Sequence, residues 1–191
     1  MNDKKIIILA SNSKHKQKEF ARFFTDRQVL IPSDLGLVFD VEEYEQTFIG
    51  NALLKAEHLY KMVKQPVLAD DSGLVIEALP HILGVHSARF EEHKSQAQKN
   101  EEVLRLMRHQ DNRRAYYVCA LVLYQELSQF MAVQESWHGN IALEAAGDFG
   151  FGYDPIFCLS DGRTAAELQA VEKDKLSHRA RALLKLNEWN T

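Results

Sequence analysis

The sequence predicts an α/β fold on a mixed sheet, and three observations carry that prediction. Ile6-Ile7-Ile8-Leu9-Ala10 is an unbroken, mostly β-branched apolar run, the pattern of a strand covered on both faces. Strand-like and helix-like segments then alternate to the end of the chain, which places helices against a sheet. Finally, the nearly all-apolar stretch Tyr116 to Tyr124 is followed across Gln125 to Gln129 by Phe130 to Val133. A hairpin there introduces antiparallel pairing, so the sheet is mixed and not purely parallel.

Each element has its own signal. After the first strand, a polar and basic stretch turns into a helix with Phe20, Phe23 and Phe24 on its apolar side, and Val29-Leu30-Ile31 forms a short strand. Thr47 caps a long helix in which Phe48, Ala52, Leu53, Ala56, Leu59, Tyr60 and Val63 keep the i, i+3, i+4 spacing. Pro66 leads into Val67-Leu68-Ala69, a strand expected to stop at Asp70-Asp71-Ser72-Gly73. Ser95 to His109 reads as an amphipathic helix around Val103, Leu104 and Met107, and Ser177 to Trp189 as the closing helix.

Composition narrows the function. A chain of 191 residues with 46% hydrophobic and 26% charged residues is long enough for a full core and ordinary for a globular protein. A net charge of −4 gives no general attraction to nucleic acid or anionic membranes, so any anion site is local. The apolar run after the charged start is too short for a signal-peptide core, and no segment approaches membrane-spanning length. Cys119 and Cys158 lie far apart without CxxC spacing; they read as reduced core residues of a cytoplasmic protein.

Five stretches could carry chemistry. Asp70-Asp71-Ser72-Gly73 is either a turn or a metal or acid/base site at the carboxyl end of a strand, where open α/β sheets bind ligands. Ser11-Asn12-Ser13-Lys14-His15-Lys16 is either a solvated, capped helix start or a polyphosphate site using backbone N–H groups and the helix dipole. It has neither the Walker nor the GxGxxG spacing. Glu42-Glu43 is a solvated acidic loop or a source of carboxylate oxygen for magnesium. Gly147 to Pro155, three glycines interleaved with aromatics, is a packed turn or a loop that lays a ring on a planar base. Glu172-Lys173 and His178-Arg179 form the last; two cations in a helix's first turn oppose its dipole unless something else uses them.

Together these residues resemble the inosine/xanthosine triphosphate pyrophosphatases, enzymes that hydrolyse non-standard purine nucleoside triphosphates. The likeness runs from Ile6 to about Leu184. It is carried by LASNSKHKQKEF (9–20), TFIGNALLKAEH (47–58), ADDSGL (69–74), GVHSARF (84–90), AAGDFGFGYDPIF (145–157), and TAAEL through SHRARAL (164–183). The resemblance implies a long, curved mixed β-sheet with flanking helices, two lobes around a central cleft, and one pyrophosphatase domain over residues 1–191. It also implies a cytoplasmic homodimer, with no nucleic-acid polymer and no membrane as partner.

By the same resemblance, Asp71 is the general base and a Mg2+ ligand, with Glu42 as second ligand. Ser72 and the loop Ser11, Asn12, Ser13, Lys14, His15 and Lys16 face the triphosphate. Phe151, Gly152, Tyr153, Asp154, Lys173, His178 and Arg179 form the base pocket. Because successive strand residues face opposite ways, Asp70 takes a separate task, accepting backbone hydrogen bonds that fix the turn. Three departures stand out. Ser13 replaces an asparagine, Gly50-Asn51-Ala52 replaces Glu-Asn-Ala, and Tyr44-Glu45 replaces a glycine after the acidic pair. The activity implied is hydrolysis of ITP, dITP, XTP or dXTP to monophosphate and pyrophosphate. The alternatives are a nucleotide-binding sensor with little catalysis, or a pyrophosphatase for other modified nucleotides.

Overall fold

The structure, a computed structural model, describes residues 5–127 and 129–188. Its main elements are β1 Lys5–Ala10, α1 Lys14–Phe23, β2 Arg27–Leu30, α2 Phe48–Val63, β3 Val67–Ile76 and α3 Gln96–Leu106. There follow β4 Arg114–Glu126, β5 Gln129–Ile141, β6 Phe157–Cys158, α4 Ala170–Leu176 and α5 His178–Glu188. The six strands form one sheet in the order β2-β1-β3-β4-β5-β6. β1 pairs in parallel with β2 and β3, and β6 pairs antiparallel to β5, so the sheet is mixed, as expected. Among the described residues, no helix is long and apolar enough to cross a membrane.

The chain divides into two compact units, Met1–Asp71 with Cys119–Glu135 and Arg179–Thr191, and Ser72–Val118 with Ser136–His178. In the first, strand alternation sorts the apolar residues onto two faces. Leu9, Leu68 and Leu121 pack with Phe20 of α1 and Leu183 of α5. Ile8, Ala10, Val67, Ala69 and Val122 pack with Ala52, Ala56 and Leu59 of α2. Both faces are covered over Ile8 to Ala10, which is why that end of β1 carries no polar alternation; its start is not covered, and Ile6 is 56% exposed. The second unit packs Leu74, Ile76, Val103, Met107, Tyr117, Trp137, Ile156 and Phe157 into a core of its own.

One local expectation holds: Thr47 caps α2. Ser13 and Ser95 cap α1 and α3 in the same way, and Ser95 makes a reciprocal capping box with Gln98. Others are corrected. β3 does not stop at the aspartates but runs through Asp70, Asp71, Ser72 and Gly73 to Ile76. The turn propensity of those residues is overridden by tertiary partners for both carboxylates. β5 reaches Ile141 and not Val133; its buried residues Val133, Trp137 and Ile141 recur every four positions, which conceals the strand period. α3 ends at Leu106, short of His109, and α4 was not anticipated. Ser177 precedes α5, whose expected end at Trp189 lies outside the described residues.

Candidate active site

The first unit gathers its polar residues where β1 gives out. Ala10, the last residue of β1, pairs with Ala69, so Asp70 and Asp71 are the first β3 residues beyond that ladder. The carboxyl end of β1 therefore does what the expected end of β3 was to do. It opens a site at strand termini, where unpaired backbone and loops meet ligands. Ser11 and Ser13 turn the chain there: Ser11 Oγ accepts from Ser13 N at 3.1 Å, and Ser13 Oγ accepts from Lys16 N at 3.3 Å. Ser13 thus acts as a helix cap, a task its hydroxyl performs as well as an asparagine amide. Asn12 donates to the Phe39 carbonyl at 2.7 Å, tying this loop to the next.

The two lysines of the loop part company. Lys14 is 60% exposed and pairs with Asp34 at 3.1 Å. Lys16 turns inward to the Asp70 carboxylate. His15 is exposed on α1.

Asp70 and Asp71 face opposite sides of β3, and each meets cations from the helices on its own side. Asp70, on the α1 and α5 face, is fully buried. It receives Lys16, Arg179 Nε at 2.7 Å and the Cys119 thiol at 3.3 Å. These side-chain partners replace the backbone hydrogen bonds expected for a turn. Burial pushes the Asp70 carboxyl up, but the Arg179 and Lys16 charges outweigh it and hold the group well below the usual carboxylate range. Arg179 also donates to Glu19 at 2.5 Å. The cation that opposed the dipole of α5 in the sequence is thus engaged by two carboxylates. Both cysteines are free thiols, as expected, but only Cys119 is a core residue; Cys158 is half-buried.

Asp71, on the α2 face, has a different surrounding. Its Oδ1 accepts from Lys55 Nζ at 2.6 Å, while its Oδ2 is buried with no hydrogen-bond partner among the described residues. Burial raises its pKa, and the nearby Lys55 and Lys16 charges only partly offset that. Lys55 is itself buried and also reaches Glu43 Oε1 at 2.9 Å. Sequence reasoning missed both roles. The signal was there: Asn51 and Lys55 are polar residues four apart beside the apolar stripe of α2. The structure brings Glu43, not Glu42, to Lys55; Glu42 is exposed on the same loop.

Two of the departures in this region belong together. The buried Asn51 amide clamps the loop by accepting from Glu45 N at 3.0 Å and donating to Glu45 O at 3.2 Å. A Cβ on Gly50 would sit 2.8 Å from Glu45 Cβ and 2.9 Å from Glu45 Cγ. The Glu45 side chain therefore occupies the space a residue-50 side chain would take. The capping Thr47 Oγ1, at 2.9 Å, crowds the same position.

Among the described residues, no group of three or more His, Cys, Asp and Glu side chains could hold a metal ion. Magnesium asks for less: it keeps several waters and takes one or two carboxylates along with substrate phosphates. The unpartnered Oδ2 of Asp71, with the acidic loop close enough to share Lys55, fits that requirement.

The second unit builds a separate site around its glycine-rich loop. Asp154 is 2% exposed, and its Oδ2 accepts from Lys173 Nζ at 2.5 Å and from Phe151 N at 2.8 Å. Tyr117 OH donates to its other oxygen at 3.3 Å. Gly150 is dictated by this packing: its φ is +76°, and a Cβ there would lie 2.1 Å from Asp154 Oδ2. Lys173 also lies over the Phe151 ring at 4.9 Å. Tyr153 is buried, donating to the Ser87 carbonyl at 2.8 Å, and burial raises its phenol pKa. Of the loop's phenylalanines, Phe149 is exposed and Phe151 is half-buried.

His178 stacks on Tyr117 with ring centroids 4.7 Å apart and planes 9° from parallel. The consecutive residues His178 and Arg179 thus belong to different clusters, an aromatic one in the second unit and an ionic one in the first. Ser72 is half-buried in β3.

An α/β chain with an acid–lysine cluster past one strand end and a stacked aromatic cluster beside a glycine-rich loop has the parts of a nucleotide-handling protein. Comparison with known proteins makes that specific: residues 7–189 match the Ham1 family, and the chain belongs to it. It is 39% identical to a dITP/XTP pyrophosphatase of Treponema denticola, covering 96% of this chain and 97% of that protein. It is 40% identical to the dITP/XTP pyrophosphatase of Nitrosomonas europaea, covering 94% and 91%. Its fold superposes on the Ham1 protein of Staphylococcus aureus with a TM-score of 0.86 at 37% identity, over 97% of each chain.

Proposed function

We propose that this chain hydrolyses non-standard purine nucleoside triphosphates, ITP and XTP and their deoxy forms, to the monophosphate and pyrophosphate. The names of its relatives support the reaction class. The observation that carries the assignment to a site is the half-satisfied Asp71: a buried carboxylate with one oxygen on Lys55 and the other unpartnered. Native proteins satisfy buried polar atoms unless the group has another task.

Asp71 orients the attacking water and takes its proton. Asp71 and Glu42 hold Mg2+, with Glu43 beside them on the loop; when bound, the ion offsets negative charge developing on the phosphate oxygens. Lys16 and the N–H groups from Ser11 to Lys16 neutralise the leaving pyrophosphate. In this reading Lys16 exchanges part of its contact with Asp70 for phosphate, and Ser72 lines the same path. Phe151, Gly152, Tyr153 and His178 recognise the base, and Asp154 with Lys173 holds their loop in shape; Arg179, expected there, is engaged by Asp70 and Glu19 instead. Donors there suit the 6-oxo acceptor of hypoxanthine and xanthine and oppose the 6-amino donor of adenine. The whole chain acts as one domain, in a cytoplasmic homodimer.

The test is a panel of triphosphates with pyrophosphate and orthophosphate both measured. ITP and XTP should exceed ATP in kcat/KM by up to about 10⁴-fold, since a polar pocket rejects a mismatched analogue strongly. Hydrolysis of ATP as fast as ITP refutes the proposal. Binding of ITP without turnover at catalytic enzyme concentration would make the chain a sensor. EDTA should abolish activity and excess Mg2+ restore it; full activity in excess EDTA refutes the metal assignment.

A further inference from the structure

The first unit contains a cavity of about 200 Å³ toward the entering ends of β1 and β3. Ile7 of β1, Leu68 of β3 and Leu123 of β4 line it, with Phe24 just past α1 and Leu186 of α5. All five belong to the apolar face that packs against α1 and α5. The acid–lysine cluster lies at the other end, past the last residue of β1. On α5 the same separation appears: Arg179 holds Asp70, and Leu186 is about 10 Å further along by the helix rise. α1 ends at Phe23 and the chain re-enters the sheet at Arg27, so a turn closes this side of the cavity.

Arg27 supplies the charge in the lining. Its side chain is 37% exposed, yet Nε is shut off from solvent and has no hydrogen-bond partner among the described residues. Asp26 Oδ2 lies 3.8 Å from that nitrogen, beyond hydrogen-bond reach, on a side chain 76% exposed. The guanidinium also lies over the Phe24 ring, 5.6 Å from its centroid. A guanidinium donates and cannot accept, so whatever completes Nε is an acceptor. Because the group is always charged and presents its N–H groups as a fork, a carboxylate matches it best. Gln125 and Asn187, both exposed, add amide groups to the lining. A bare anion would leave the apolar walls empty. A cavity of about 150 Å³ takes benzene, so this one suits a body of roughly six to eight carbons.

We propose that this cavity binds a small apolar monocarboxylate, with its carboxylate on Arg27 and its hydrocarbon body between Leu68, Leu123 and Leu186. None of the residues given a part in hydrolysis lines it, so the site does not depend on that reading. The experiment titrates hexanoate, hexanamide and acetate into wild type, Arg27→Gln, Leu123→Phe and Lys16→Ala by calorimetry, with a melting curve for each. Hexanoate should bind wild type and raise its melting temperature, because a ligand of the folded state stabilises it. Hexanamide has the same body without the charge and should bind about tenfold or more weakly, the scale of a hydrogen bond to a charged group. Arg27→Gln should weaken hexanoate by the same factor and leave the two probes equal. Acetate lacks the body and should not bind. Leu123→Phe fills the space and should remove hexanoate binding, whereas Lys16→Ala, in the loop after β1, should not alter it.

Failure of hexanoate to bind wild type at millimolar concentration overturns the proposal and leaves Nε to water. So does equal binding of hexanamide or acetate, or hexanoate binding that Arg27→Gln leaves unchanged. Loss of hexanoate binding in Lys16→Ala with retention in Arg27→Gln puts the carboxylate in the loop after β1, and overturns it as well. Should Leu123→Phe fail to fold, the two probes on wild type and Arg27→Gln still decide.

Discussion

Each unit of the molecule buries an aspartate against a lysine, and the two pairs are built to opposite ends. In the second unit Asp154 uses both oxygens, on Lys173, the Phe151 N–H and the Tyr117 hydroxyl. In the first, Asp71 uses one oxygen on Lys55 and leaves the other buried without a partner among the described residues. A buried ion pair contributes little net stability, but removing one partner is costly because a buried charge loses its counterion. A fully bonded pair is therefore scaffold. A half-bonded one is a group kept ready for something else. Completeness of hydrogen bonding, more than burial or charge, separates the two.

Breaking each pair should test the contrast, and the largest effect is expected at Asp71. Asp71→Asn should fold like wild type, since Lys55 keeps Glu43, yet lose about 10²- to 10⁴-fold in kcat, the range for a lost general base. Pyrophosphate release by the purified variant decides this, and near wild-type turnover would make Asp71 scaffold too. Asp154→Ala should behave in the opposite sense, lowering unfolding free energy by about 3 kcal/mol or more. A denaturant midpoint equal to that of wild type would show that the second pair holds nothing together.

Asp70 sharpens the comparison through pH. Burial raises its pKa, but Arg179 and Lys16 bring it well below the unfolded value, so the folded state binds fewer protons there than the unfolded chain. Its contribution is fully present above the unfolded carboxylate pKa, near 3.9, and is lost as pH falls through the lower folded value. The melting temperature should drop in acid more steeply for wild type than for Asp70→Asn, and parallel curves would contradict the ionic account of Asp70. The smallest effect concerns the acidic loop. Gly50→Ala should cost about 1 kcal/mol through collision with Glu45, even though alanine is the better helix former. In a Glu45→Gly background the cost should fall but not vanish, because Thr47 Oγ1 still lies 2.9 Å from the new Cβ. Additive effects in the double-mutant cycle would show that the two departures are unrelated.

Much of this was legible in the sequence. The strand β1, the cap at Thr47 and the mixed sheet follow from period, propensity and hydroxyl placement, all local properties of neighbouring residues. So does the division of labour between Asp70 and Asp71, because strand residues alternate whatever lies around them. The motifs ADDSGL, GFGYDPIF and SHR also sufficed to place the chain among its relatives.

Tertiary structure decided the rest, because partners distant in sequence leave no local trace. Nothing near Asp70 announces that Arg179, 109 residues away, will hold it, or that β3 will therefore run straight where its residues favour a turn. Lys55 stands beside the apolar stripe of α2, but which carboxylate it meets is decided only when α2 packs with its buried face against β3. Gly50 and Glu45 look like two independent changes until the loop folds one into the space of the other. Sequence fixes what each residue can do within a turn or a strand; which carboxylate ends satisfied and which ends with an unpartnered oxygen is settled only when both sides of the sheet are packed.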